Sequence, residues 1–247
     1  MKDPTTVLLD SLQKNYQSER LQRLQTVAEY SSSVSDEKHA VEKVIAAKGS
    51  INVTRVEPSR SIKPWEISAE HQEIRHQDDR FFTVQFFDVH TDANREETEW
   101  IQPLIVEKNQ PAGILGQIVA CKGNNLYWLL QVKSEPGDIK GFNLTTTIQA
   151  TLENIRAPNH LNRVPCLPVF LDAIEKESIL FSFPVQEDGG RYFRKLNHLV
   201  AVEIEFDHSL ENKNLIWLEH SSIVQMFKSH EVPLSAQLRF MMCQFLV

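Results

Sequence analysis

Apolar residues four apart open the chain. Leu8 pairs with Leu12 and Leu24 with Ala28, Leu21 and Val27 lie nearby, and Lys, Arg, Glu and Gln fill the opposite side. This spacing predicts an amphipathic helix over 6–30, ended by Ser31-Ser32-Ser33. A second helix begins at Ser35, whose hydroxyl can cap free amides. It sets Val41, Val44 and Ile45 on one face and stops at Gly49. This quarter of the chain carries few large apolar residues of its own, so it reads as a helical arm for docking or dimerisation. Residues 52–64, with Pro58 and Pro64 and little periodicity, read as a linker. The expected division is 1–60 as arm and linker and 61–247 as the main domain.

From Trp65 onward the pattern changes to short extended runs. Residues 81–89 are aromatic and β-branched and bounded by charge, which predicts a strand. An acidic loop follows at 91–99. Residues 101–106 form a short strand interrupted by Pro103, so it belongs at a sheet edge. The runs 114–121 and 126–132 flank Lys122-Gly123-Asn124-Asn125, which predicts a hairpin. Residues 142–151 and 179–185 are further strands. Residues 199–206 alternate apolar residues with Glu203 and Glu205, as in a half-exposed strand. The stretch 153–168 is irregular, with Pro158, Pro165 and Pro168. Helices are expected over 221–228 and 235–246, each opened by a serine and separated by Pro233. Strands first and helices last predict an α+β fold with a mixed or antiparallel sheet.

Composition narrows the function classes. The 247 residues suffice for one large domain, or a domain with an extension. A formal net charge of −7 disfavours general nucleic-acid binding. Cys121, Cys166 and Cys243 are too scattered for a disulfide framework or zinc site, which points to a reducing cytoplasm. Neither a signal peptide nor a membrane-spanning run is evident, so no membrane partner is expected. His71 and His76 lack ligand-like spacing, and no metal is expected.

Three stretches carry candidate chemistry. Ser134-Glu135-Pro136-Gly137-Asp138 breaks two extended runs, because proline fixes φ and glycine allows positive φ. Lys133, Glu135, Thr147, Gln149 and Thr151 thereby lie on or beside two strands joined by a tight loop. A cation, a carboxylate, an amide and hydroxyls held there suit a polar small molecule. His76 and Arg80 lie just before the 81–89 strand, and a histidine there can act as acid or base near neutral pH; an ordinary surface loop is the alternative reading. Gly189-Gly190-Arg191-Tyr192-Phe193-Arg194-Lys195 joins backbone freedom to three cations and suits a diphosphate.

Five ordered blocks carry a family resemblance. They are Trp100-x-Gln102-Pro103; Gly113-Ile114-Leu115-Gly116; Leu130-Gln131-x-Lys133-x-Glu135-Pro136-Gly137-Asp138; Thr147-Ile148-Gln149-Ala150-Thr151; and Arg191-Tyr192-Phe193-Arg194-Lys195-x-Asn197. Together with His76 and Arg80-Phe81-Phe82-Thr83-Val84, they resemble the NDP-hexose 2,3-dehydratases of deoxysugar biosynthesis, from about Trp65 to the C-terminus. The resemblance implies a Nudix-like α/β/α sandwich without the Nudix catalytic box. It also implies a lyase without a redox cofactor, acting on a nucleotide-linked 4-keto-6-deoxyhexose. Loss of a C3 proton and then the C2 hydroxyl would give a 3,4-diketo sugar.

That reaction needs a base at C3, an acid at the C2 oxygen and a donor at the C4 oxygen. Glu135 or His76 is the base. Tyr192 or Lys133 is the acid or the enolate stabiliser. Arg191 and Lys195 hold the diphosphate, and Gln102, Thr147, Gln149 and Asn197 bind the sugar. The family carries two such units in a chain about twice this length; one unit here implies a homodimer that imitates the pair. The chain also departs from the family at Thr146-Thr147 (usually Pro-Thr), Glu153-Asn154-Ile155 (where a tyrosine is missing), His160-Leu161-Asn162, Leu196 and His198. A scaffolding relative in a biosynthetic pathway and a dehydratase or isomerase for another keto substrate are the alternative readings.

Overall fold

The computed structural model describes residues 19–30, 37–57, 60–78, 81–92, 96–107, 113–151, 155 and 164–245. The expected first half of the opening helix, the Ser35 cap, Arg80, and the departures at 153–154 and 160–162 lie outside them. Two compact units divide the chain: residues 1–53, 113–184 and 198–247 in the first, and 54–112 and 185–197 in the second. The fold is α+β, and among the described residues the strands form two sheets, where the sequence suggests one.

The first unit is built on the hairpin of β5 (Gly113–Lys122) and β6 (Asn125–Lys133). Its turn is Gly123-Asn124, and Gly123 takes the positive φ of 60° that a two-residue loop requires. The strands pair antiparallel from Lys122↔Asn125 as far as Ile118↔Leu129 and then part. Into this fork run β7 (Asn143–Thr145), which pairs with β6, and β8 (Ile148–Thr151), which pairs with β5. The single strand expected over 142–151 is therefore two, because no one strand can follow both arms of a fork. β9 (Ile179–Gln186), β10 (Leu196–Glu203) and β11 (Leu215–Glu219) complete the order β11-β6-β5-β10-β9. β10 is central, with Leu199, Val200, Ala201 and Val202 all buried, so the half-exposed strand expected at 199–206 is corrected.

Helices cover both faces of this sheet. Leu129 and Trp128 are adjacent in β6 and so point to opposite sides. On the Leu129 side, Ile118, Ile148 and Trp217 pack with Leu167 and Phe170 of a helix over Leu167–Glu175. The sequence reading missed this helix. Its apolar positions Leu167, Phe170, Leu171 and Ile174 have helical spacing, but Pro165 and Pro168 masked it; Pro168 sits in the first turn, where no N–H is needed. A Cβ on Gly116 would lie 2.8 Å from the Phe170 ring, which explains a glycine in mid-strand.

On the Trp128 side lie helices Glu19–Tyr30, Glu37–Ala47, His220–Ser229 and Ala236–Met242. They are numbered α1, α2, α4 and α5, with Leu167–Glu175 as α3. Here Trp128 meets the rings of His220 and Phe245. α1 packs on β6, and α2 packs on β11 and α4. The N-terminal helices are thus part of this unit's own layers, with Leu24 and Val44 fully buried, and do not form a free arm. The inward face of α2 is Ala40, Val44 and Ala47, while Ile45 is exposed. Arg23 pairs with Glu203, tying α1 to β10.

The second unit holds the antiparallel sheet β1 (Trp65–Ser68), β2 (Glu73–His76), β3 (Phe82–His90) and β4 (Glu99–Glu107). β1 and β2 were not expected; each is only four residues long and too short to show a period. His76 therefore sits on a strand, not in a loop. β4 lies at the sheet edge, as Pro103 requires. Among the described residues, no helix is long and apolar enough to cross a membrane.

Candidate functional site

In the first unit a polar chain leads inward from the 134–138 loop. Lys133, at the end of β6, pairs with Glu135 and donates to Gln149 Oε1 at 2.8 Å. Gln149 Nε2 donates to Thr145 Oγ1 at 2.6 Å, and the Thr145 and Ser235 hydroxyls are 2.9 Å apart. Ser235 caps α5 by accepting the Leu238 N–H at 3.2 Å. The outer end is half-exposed at Lys133 and Glu135, whereas Thr145 is buried. The loop itself is pinned by Asp138, which accepts the Glu135 N–H at 2.7 Å and the Asn143 side-chain amide at 2.9 and 3.0 Å. Its turn closes by Asp138 N–H to Glu135 O at 3.1 Å. The positive φ falls on Gly141 (73°), so Pro136 and Asp138, and not a left-handed Gly137, shape this turn.

Thr147 is placed otherwise than the sequence suggested. Its hydroxyl accepts the Ile118 N–H at 3.0 Å and donates to Leu129 O. Those are the backbone groups that β5 and β6 cease to share where the fork opens. Gln117 assists by donating to Leu129 O at 3.0 Å. Thr147 is fully buried, so its role is to satisfy the fork and it offers nothing to a ligand.

The remaining candidates lie in the second unit. Gln102 accepts from Trp100 Nε1 at 3.0 Å and donates to Gly190 O at 3.3 Å. Backbone bonds Ile105 N–H to Arg191 O and Phe193 N–H to Ile105 O bind the basic turn to β4, and Phe193 stacks on Phe87 at 4.5 Å. The positive φ of this turn is at Arg194 (51°), not at Gly189 or Gly190. Arg191 is exposed and donates to Asp188 at 2.8 Å. The Gly190 N–H and Arg191 together hold the Asp188 carboxyl below its ordinary range. Lys195 is largely buried, pairs with Glu107 and lies 4.8 Å from the Tyr192 ring centroid. Asn197 is buried and donates to Glu187. The proposed diphosphate cation Lys195 is therefore already matched by a carboxylate, and Asn197 already has its acceptor.

His76 is buried and enclosed by the rings of Trp65 and Phe81. Its Nδ1 accepts the Asp78 N–H at 3.1 Å, which leaves the neutral ring's hydrogen on Nε2. A ring so arranged offers a donor and no free lone pair.

The model of the NDP-hexose 2,3-dehydratase family matches residues 38–244. The chain belongs to this family. It is 30% identical over 148 residues to a dTDP-4-dehydro-6-deoxy-alpha-D-glucopyranose 2,3-dehydratase of Saccharopolyspora spinosa, covering 60% of this chain and 30% of that one. Proteins of the same name from Amycolatopsis orientalis and Streptomyces violaceoruber are 28% and 26% identical. Those matches cover 76% and 61% of this chain and 40% and 33% of theirs. The matched stretches thus span well under half of each curated relative. An ADP compounds hydrolase structure matches with a TM-score of 0.33 at 13% identity, covering 71% of this chain and 86% of that one. That likeness is too slight to bear on fold or chemistry.

Within this member of the dehydratase family, several motif residues have structural tasks. Gly116 admits Phe170, Thr147 closes the fork, and Lys195 and Asn197 answer Glu107 and Glu187. Lys133, Glu135 and Gln149 remain as the group joined to one another and open on one side. The sequence marks Ser235 only as a helix cap and does not mark Thr145 or Glu107. Thr145 and Ser235 gave a faint signal as a strand threonine and a helix-cap serine, but nothing in the sequence joins residues 90 positions apart.

Proposed function

We propose that this chain is a cofactor-independent carbon–oxygen lyase that removes water from a nucleotide-linked 4-keto-6-deoxyhexose. The Lys133–Glu135–Gln149 group supports this reading. Glu135 takes the C3 proton, which the adjacent C4 ketone acidifies. The electron pair moves to the C4 oxygen, where the Lys133 ammonium donates a hydrogen bond. The enolate then expels the C2 hydroxyl, which leaves as water with the proton held by Glu135. The enol left at C3 relaxes to the 3,4-diketo sugar. Incubation with a panel of 4-keto sugar nucleotides in deuterated water, read by mass spectrometry, tests this. Loss of water with deuterium uptake is expected; a panel returned unchanged would overturn the reading.

We further propose a homodimer, with a second copy covering the second unit's sheet. Ile67, Ile74, Val84 and Ile105 stand in one cross-strand row, and Phe86, Pro103 and Ile101 extend the same face. Ile67 is 74% exposed, Ile101 61% and Phe86 56%. Contiguous apolar surface of this kind marks association sites. A stable dimer needs about 800 Å² from each partner, an area a four-stranded sheet face can supply. The centre of the face carries no charge, so an identical face suits it.

A further inference from the structure

Gln149 lies between two groups with opposite requirements. The Lys133 ammonium only donates, so it must meet the amide oxygen, as it does at 2.8 Å. The amide nitrogen must then meet an acceptor, and the one it has is Thr145 Oγ1 at 2.6 Å. Thr145 is buried in the strand that lines the fork, and its hydroxyl is held from behind by Ser235, whose own oxygen is fixed by the Leu238 N–H. A carboxamide rotated end for end would set its NH₂ against the ammonium.

We propose that Thr145 is a positioning residue for Lys133. By accepting from Gln149 it locks the amide oxygen toward the ammonium, and so keeps Lys133 aimed beside Glu135. This rests on the dehydratase reading for its consequence in catalysis, but the wiring is independent of it. The charged groups near Lys133 are Glu135, its ion-pair partner, and Asp138, which holds the Glu135 backbone. Two of the three ammonium hydrogens are engaged by Glu135 and Gln149, which leaves one for a ligand oxygen.

The test uses the full chain with glutamine side-chain amides labelled with nitrogen-15, following the Gln149 NH₂ resonance. Thr145→Val removes the acceptor at nearly constant shape, and Thr145→Ser retains it. The Gln149 NH₂ protons are expected to move upfield and exchange faster with solvent in Thr145→Val and to keep their wild-type position in Thr145→Ser. Ser235→Ala, one step further back, is expected to move them less and serves if Thr145→Val does not fold. With a sugar nucleotide that the wild type dehydrates, Thr145→Val should lose ten- to a hundredfold in kcat with KM within twofold, and Thr145→Ser should restore kcat. Unchanged Gln149 amide resonances in Thr145→Val and Ser235→Ala would overturn the wiring. A loss carried by KM, or one that Thr145→Ser does not restore, would reduce Thr145 to a structural residue. Absence of dehydration by the wild type would remove the dehydratase reading, while the amide resonance still decides the wiring.

Discussion

The hydroxyl of Thr147 takes the place of a strand for Ile118, accepting its N–H at 3.0 Å where β5 leaves β6. The same oxygen donates its hydrogen to Leu129 O on the opposite arm. Thr147→Val keeps the shape and strands the Ile118 N–H, while Leu129 O keeps its bond from Gln117. An unsatisfied buried group costs about 1–3 kcal/mol, so this variant should lower stability by about that much. Denaturant unfolding would show a reduced midpoint. An unchanged midpoint would mean that water or a shifted strand takes over the role.

His220 lies against Trp128 in the layer between β6 and α4. Burial lowers its pKa to about 4, well under the ordinary 6.5. The folded state therefore binds fewer protons than the unfolded state between those values. The contribution of His220 to stability is full above pH 6.5, falls as the pH drops toward 4, and is level below that. At about 1.4 kcal/mol per pH unit, the loss is on the order of 3 kcal/mol. His220→Phe, which retains a ring, should flatten the fall measured by urea unfolding across this window. Identical slopes in both proteins would assign the acid sensitivity to other groups.

Lys133→Ala and Glu135→Gln should fold normally, because both side chains stand at a half-exposed loop. Exposed pairs of this kind are worth at most about 1 kcal/mol, so melting should barely change. Turnover of the keto sugar nucleotide should fall at least a hundredfold in each, carried by kcat. Wild-type turnover in both would remove the 133–138 loop from the chemistry.

Phe86→Glu combined with Ile101→Lys places charge in the exposed row of the second unit's sheet. The wild type should run at twice the chain mass in light scattering, and the double variant at the chain mass with its circular dichroism intact. A monomeric wild type would argue against the proposed pairing.

Thymidine diphosphate should raise the melting temperature of the wild type. Stabilisation follows ligand concentration over Kd, about 2.7 kcal/mol at a hundredfold excess. No shift at millimolar ligand would count against nucleotide binding.

What the chain determines by itself is local or carried by motif. The β5–β6 hairpin follows from Gly123-Asn124 between apolar runs, and the edge place of β4 from Pro103. The cap of α5 follows from Ser235, and family membership from ordered blocks of residues. Each depends on a few neighbouring positions. Tertiary structure decided what depends on partners far away in sequence. It split 142–151 between two arms of a fork, because β5 and β6 diverge at a point their own patterns do not mark. It recovered α3 from a proline-punctuated stretch whose apolar face has meaning only once Phe170 meets Gly116. It set Val200 and Ala201 in a buried inner strand, although the acids that follow had suggested a half-exposed one. It also separated motif residues that satisfy the backbone or a neighbouring charge, such as Thr147 and Lys195, from Lys133, Glu135 and Gln149. Hydrogen-bond partners are set by distance in space, and sequence spacing records that distance only within a single helix turn or hairpin.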